Sequence, residues 1–154
     1  MINKLLFFIK LIFIQGISKL KVLYLQIVYH GVSLPSGIII PRGVVIATSG
    51  GGTISIGRNV TFCRDAQLIS QGGQIRLDDN VHIGVGVIIV SLARIQIGKD
   101  TLISEYVIIR DHDHNFDSRA IRNAGFKTSP ISIGVDCWLG CKSTVLRDST
   151  LVTV

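Results

Sequence analysis

Large apolar residues return every sixth position along most of this chain. Stepping by six from Ile56 gives Phe62 and Leu68, and from Leu77 gives Ile83 and Ile89. From Ile97 come Ile103 and Ile109, and from Ile133 come Leu139, Val145 and Leu151. All thirteen positions are large and apolar in a chain that is 47% hydrophobic. Chance alone would give that on the order of once in ten thousand for a fixed phase. The fourth position after each is small or branched at Val60, Ala66, Val81, Val87, Thr101, Val107 and Ser143. Glycine follows the apolar residue at Gly57, Gly84, Gly98, Gly134 and Gly140. A period of six is neither that of a helix nor that of a flat strand. It predicts a chain that turns a corner every six residues, with three short strands to a triangular coil. The runs "GGG" at 50–52 and "QGG" at 71–73 mark corners that carry extra residues, and Pro35, Ile38, Pro41 and Val44 belong to an earlier coil. The expected fold is all-β, a parallel β-helix.

Two segments break the pattern. Between Ile109 and Ile133 the period stops, and "DHDHNFDSRAIRNAGFKTSP", residues 111–130, is expected to project as a loop before Pro130 restarts the coils. Loops of this length inside a compact domain are usually functional. At the front, "LLFFIKLIFI" (5–14) is apolar but interrupted by Lys10, and it is shorter than the roughly 20 residues that a bilayer crossing needs. Residues 3–29 read as one or two amphipathic helices that either cap the apolar end of the coil stack or touch a membrane surface with their lysines snorkelling. The chain thus divides into an N-terminal helical segment, 1–35, and a β-helix domain, 36–154, which carries the loop and an incomplete C-terminal coil.

Charge sharpens this division. The formal net charge is +6, yet seven Lys/Arg and no Asp or Glu precede Asp65. Such a front end suits an anionic surface. Nucleic acid is not the expected partner, because zinc-finger spacing, a basic recognition helix and aromatic RNA-binding signatures are all missing. Cys63, Cys137 and Cys141 form no CxxC pair, which favours reduced thiols and the cytoplasm, with contact at the inner membrane face as the variant location.

The candidate chemistry sits at the root of the loop. Asp111, His112, Asp113, His114 and Asn115 follow one another. A neutral imidazole is suited to general-base work, and a neighbouring carboxylate can set its tautomer. The same residues would also serve as a solvated turn. A metal site needs at least a third ligand, for which His82 is the sole candidate on the inner wall, and no metal is expected.

The histidine-bearing loop, then "PISIG" (130–134) and "WLG" (138–140), resemble the hexapeptide-repeat acyltransferases, in particular the branch of sugar and lipopolysaccharide O-acetyltransferases. The resemblance covers about residues 38–146. It implies a left-handed β-helix, acetyl-CoA as co-substrate and a sugar or polysaccharide hydroxyl as acceptor. It also implies a homotrimer in which the loop of one subunit meets the next. Spacing to Pro130 and Trp138 places the family's catalytic histidine on His114, with His112 as a supporting group. Asp111, Asp113, Asn115 and Trp138 would contact the acceptor, and Trp138, Gly140 and Cys141 would line the pantetheine arm. Two features depart from the pattern. The position where galactoside and maltose acetyltransferases carry an Asn falls near Gly84, and relatives continue for at least one coil beyond "RDSTLVTV". An inactive or truncated β-helix serving as an assembly partner is therefore the alternative, and a zinc hydratase of the carbonic-anhydrase type is a third reading.

Overall fold

In the computed structural model, which describes residues 16–116 and 120–152, the six-residue period becomes a triangular coil with three parallel faces. Face A holds Val32–Ser33, Thr53–Ile56, Gln74–Leu77, Arg94–Ile97, Ile131–Ile133 and Thr150–Leu151. Face B holds Val45–Ser49, Gln67–Gln71, Ile88–Ser91, Ile108–Arg110 and Thr144–Val145. Face C holds Thr61–Phe62, His82–Ile83, Leu102–Ile103 and Trp138–Leu139. Each strand pairs with the strand one coil away, and the architecture matches the left-handed β-helix. The wall begins at Val32, which is paired with Ile54, somewhat before the boundary at 36 that the sequence suggested.

The register explains the period. Inward rows stack one side-chain type on itself: Ile54, Ile75, Ile95 and Ile131 form one row, and Phe62, Ile83, Ile103 and Leu139 another. Twelve of the thirteen six-step positions are buried, and Leu151 is the exception. Strand spacing of about 4.8 Å lets β-branched chains interlock along such rows. Each buried Ile or Leu contributes roughly 1.5–3 kcal/mol of apolar transfer energy.

Three residues after nine of the six-step positions the chain turns through positive φ, at Asn59, Asp65, Asn80, Asp100, Tyr106, Asp136, Lys142 and Asp148, with Gly86 in the same place. Asn and Asp tolerate that conformation, and here they also bond between coils. Asn59 Nδ2 donates to Asn80 Oδ1, and Asn80 Nδ2 donates to Asp100 Oδ1 at 2.7 Å. At Tyr106 the ring lies over Gly86, where a Cβ would stand 2.7 Å from ring carbons. On the exposed face A corner, the Arg58 guanidinium, hydrogen-bonded to Asp79, holds that carboxyl below the usual carboxylate range.

A helix over 16–28 closes the front of the stack. Ser18 and Leu25 are buried, and Val22 and Tyr29 pack on the core. Lys21 Nζ donates to the Val44 carbonyl at 2.9 Å and to that of Pro41 at 3.4 Å, and its burial lowers its pKa. Residues 3–15 of the predicted amphipathic segment, and 117–119 of the loop, lie outside the described residues.

Candidate functional site

The loop leaves the corner between faces B and A as a built arm. His112–His114 pairs antiparallel with Phe126–Thr128, with His112 opposite Thr128, Asp113 opposite Lys127 and His114 opposite Phe126. A short 3-10 turn, Ile121–Asn123, lies between the strands. Asn115 N–H donates to the Gly125 carbonyl, and Ser129 N–H donates to that of Asp111.

Asp111 is not part of the projecting arm. It continues the inner wall one residue beyond the pair Arg110–Val90 and is fully buried. Its Oδ1 accepts from Leu92 N–H at 2.8 Å, and its Oδ2 from Ala93 N–H at 2.9 Å and from the Ser91 hydroxyl at 2.6 Å. Four lone-pair directions are therefore largely committed to protein donors. The expected contact between this carboxylate and an acceptor sugar does not fit its position. It ties the corner of the preceding coil to the root of the arm instead.

His112 stands directly above. It is 8% exposed, its Nδ1 lies 3.3 Å from Asp111 Oδ1, and its edge meets Phe126 at 5.4 Å between centroids. Because a carboxylate oxygen accepts, His112 Nδ1 is the donor in this contact. Two residues on, His114 shares that side of the strand. Its ring lies exposed and tilted over Phe126 at 4.7 Å. Alternation sends Asp113 to the other side, where its Oδ2 accepts from Arg147 Nε at 2.7 Å. Lys127 Nζ sits 5.0 Å from the Phe116 ring. The arm is held by a buried carboxylate at its root and by an ion pair on its flank, and it presents two imidazoles around one phenyl ring.

The second group of candidates lies elsewhere. Trp138 is 76% exposed on the outer side of face C, beside Leu102, and its Nε1 donates to Ser104 Oγ at 2.9 Å. Gly140 and Cys141 follow it, exposed, and a Cβ on Gly140 would meet nothing within 4 Å. Face C, however, does not border the corner from which the arm leaves. Among the described residues no hydrogen bond or ring contact joins Trp138, Gly140 or Cys141 to the arm histidines.

His82 points outward rather than along the inner wall. Its Nδ1 is 2.8 Å from Thr61 Oγ1 and its Nε2 is 3.9 Å from Cys63 Sγ. Among the described residues no group of three or more His, Cys, Asp or Glu is placed to hold a metal ion. At Gly84 a Cβ would stand 2.7–2.9 Å from the backbone of residues 103–105, so this coil has no space for a side chain there. A groove of about 460 Å³ lies near the front of the stack between Pro35–Ile39 and Asn59–Phe62, away from the arm. Arg147 and Phe126 were not singled out from sequence. Nothing local announces them, since Arg147 is 34 residues from its partner.

Comparison with known proteins adds relationship to geometry. The chain is 32% identical over 117 residues to a probable acetyltransferase of Mycobacterium tuberculosis, covering 74% of this chain and 39% of that protein. It is 35% identical over 105 residues to a putative lipopolysaccharide biosynthesis O-acetyl transferase of Escherichia coli, covering 62% of this chain and 54% of that one. The chain thus spans about half or less of the length of these curated relatives. No family model matches it, and no solved structure matches it. Its repeat and its coils are consistent with a hexapeptide-repeat β-helix protein, and the two curated relatives it resembles are named as acetyltransferases.

Proposed function

We propose that this chain is an acetyl-CoA-dependent O-acetyltransferase acting on a sugar hydroxyl of a surface polysaccharide or its precursor, with His114 as general base. The observation that carries this reading is the arm itself, which presents an exposed imidazole beside a second one anchored on a buried carboxylate. The names of the two relatives point to the same chemistry.

His114 suits the proton-accepting role because a base must reach its substrate. His112 is enclosed and has one nitrogen turned to Asp111, so it serves as the arm's anchor. In the reaction, His114 removes the proton of the acceptor hydroxyl as that oxygen attacks the thioester carbonyl. The tetrahedral intermediate collapses with loss of the CoA thiolate, which takes the proton back from the imidazolium. The ester forms, the thioester breaks and no acyl-enzyme arises. Cys141 then needs only to be small. Trp138, Gly140 and Cys141 would border the pantetheine arm on face C. Because that face is remote from the arm of its own chain, the working unit is an assembly, a trimer by resemblance, in which the arm of one copy meets face C of another.

The test is thiol release from acetyl-CoA against a panel of sugar acceptors. Wild type should turn over, and His114→Ala should lose about 10²-fold or more while remaining folded. A folded, assembled wild type as silent as His114→Ala across the panel would remove the enzyme reading.

A further inference from the structure

The N-terminal helix has two apolar sides, and the coil stack uses only one. Ser18, Val22, Leu25 and Tyr29 face the core. Ile17, Leu20, Tyr24 and Ile27 recur at spacings of three and four, which places them in one outward stripe flanked by Leu23 and Val28. These six side chains are between 46% and 70% exposed. A stripe of that kind on a helix about 20 Å long is unusual for a surface left in water. Nor does this helix span a bilayer: among the described residues no helix is long and apolar enough to cross a membrane.

Charge decides what can cover the stripe. Every Lys, Arg, Asp or Glu before Asp65 is a Lys or an Arg. Exposed Lys19 lies on the helix itself, and exposed Arg42 lies in the coil that the helix caps. Two copies meeting front to front would bring like charges together, whereas an anionic layer would be drawn to the same surface. Tyr24 between aliphatic neighbours, with Lys19 nearby, is the residue mixture favoured at a lipid–water boundary. We propose that the outward side of this helix is a docking surface for anionic lipid, lying in the plane of the headgroups with Ile17, Leu20, Tyr24 and Ile27 inserted. This inference does not depend on the catalytic reading. Its consequence for that reading would be to hold the coils beside membrane-borne acceptors.

The test is flotation of the full chain with vesicles of phosphatidylcholine alone or mixed with phosphatidylglycerol. Binding is expected with the anionic vesicles, weaker in high salt and weak with phosphatidylcholine alone. Leu20→Glu/Tyr24→Glu, at positions outside the core, should reduce it about tenfold or more, and Lys19→Glu should reduce it less. A milder pair, Leu20→Ser/Ile27→Ser, checked by circular dichroism, gives the same answer if the glutamates disturb the fold. Three results would overturn the proposal. One is no flotation of wild type with anionic vesicles at low salt, and another is equal flotation of wild type and the folded variants. The third is a wild-type oligomer that the variants dissociate with no vesicle binding, which would make the stripe a contact between copies.

Discussion

Asp111 shows how one side chain links the coil to the arm. Three protein donors and the His112 ring converge on its carboxylate at full burial. Asp111→Ala would leave the N–H groups of Leu92 and Ala93 and the Ser91 hydroxyl without that partner, at a cost of about 2–4 kcal/mol in a urea or thermal melt. The tautomer of His112 is a finer readout. Nitrogen NMR should find its Nδ1 protonated in the wild type and the preference lost in Asp111→Ala, while a His112 that averages over both tautomers in the wild type would contradict the pairing. Sequence could not assign this role. "DHDH" shows where imidazoles and carboxylates are dense, but not that the first of the four still belongs to the wall. Turn residues were easier to read, since Asn and Asp recur where φ is positive. Tyr106 and Lys142 occupy the same conformation, and the Tyr106 ring packs over the glycine one coil below.

At the scale of elements, the coil rows and the arm behave differently. Ile95 lies fully buried in a row of four isoleucines, and Ile95→Ala should cost about 2–5 kcal/mol in the same melts. The rows were legible because a parallel coil places identical positions over one another, so fold appears directly as period. The arm has no period, and its paired strands and its flank contact come from residues distant in sequence. Arg147→Ala should barely move the melting temperature, since the Asp113–Arg147 pair is partly exposed and worth on the order of 1 kcal/mol or less. It should instead speed proteolytic cleavage of the arm. Equal cleavage of wild type and variant would show that the ion pair does not hold it. Residues 3–29 were expected to form one or two amphipathic helices that cap the stack, meet a membrane surface or do both, and the helix over 16–28 is the described part. Its inner side caps, and its outer side remains available for the lipid contact proposed above.

For the whole molecule, the separation of the arm from face C carries the main functional consequence. A site assembled between copies predicts complementation. His114→Ala and Trp138→Ala chains, each poorly active alone, should recover part of the activity when refolded together, because some assemblies then pair an intact arm with an intact face C. Recovery equal to the sum of the separate activities would place the site within one chain or elsewhere. The sequence resemblance implies sharing between subunits, which this complementation tests. What it lacked was the placement of the two groups on the prism, which depends on how many residues each corner consumes.

The most direct measurement is transfer of deuterium-labelled acetyl from acetyl-CoA to a sugar acceptor, followed by mass spectrometry for wild type, His114→Ala and His112→Ala side by side. The account predicts labelled sugar ester from wild type, loss of about 10²-fold or more in His114→Ala, and a smaller loss in His112→Ala that tracks loosening of the arm. Labelled ester formed equally by wild type and a folded His114→Ala would contradict it.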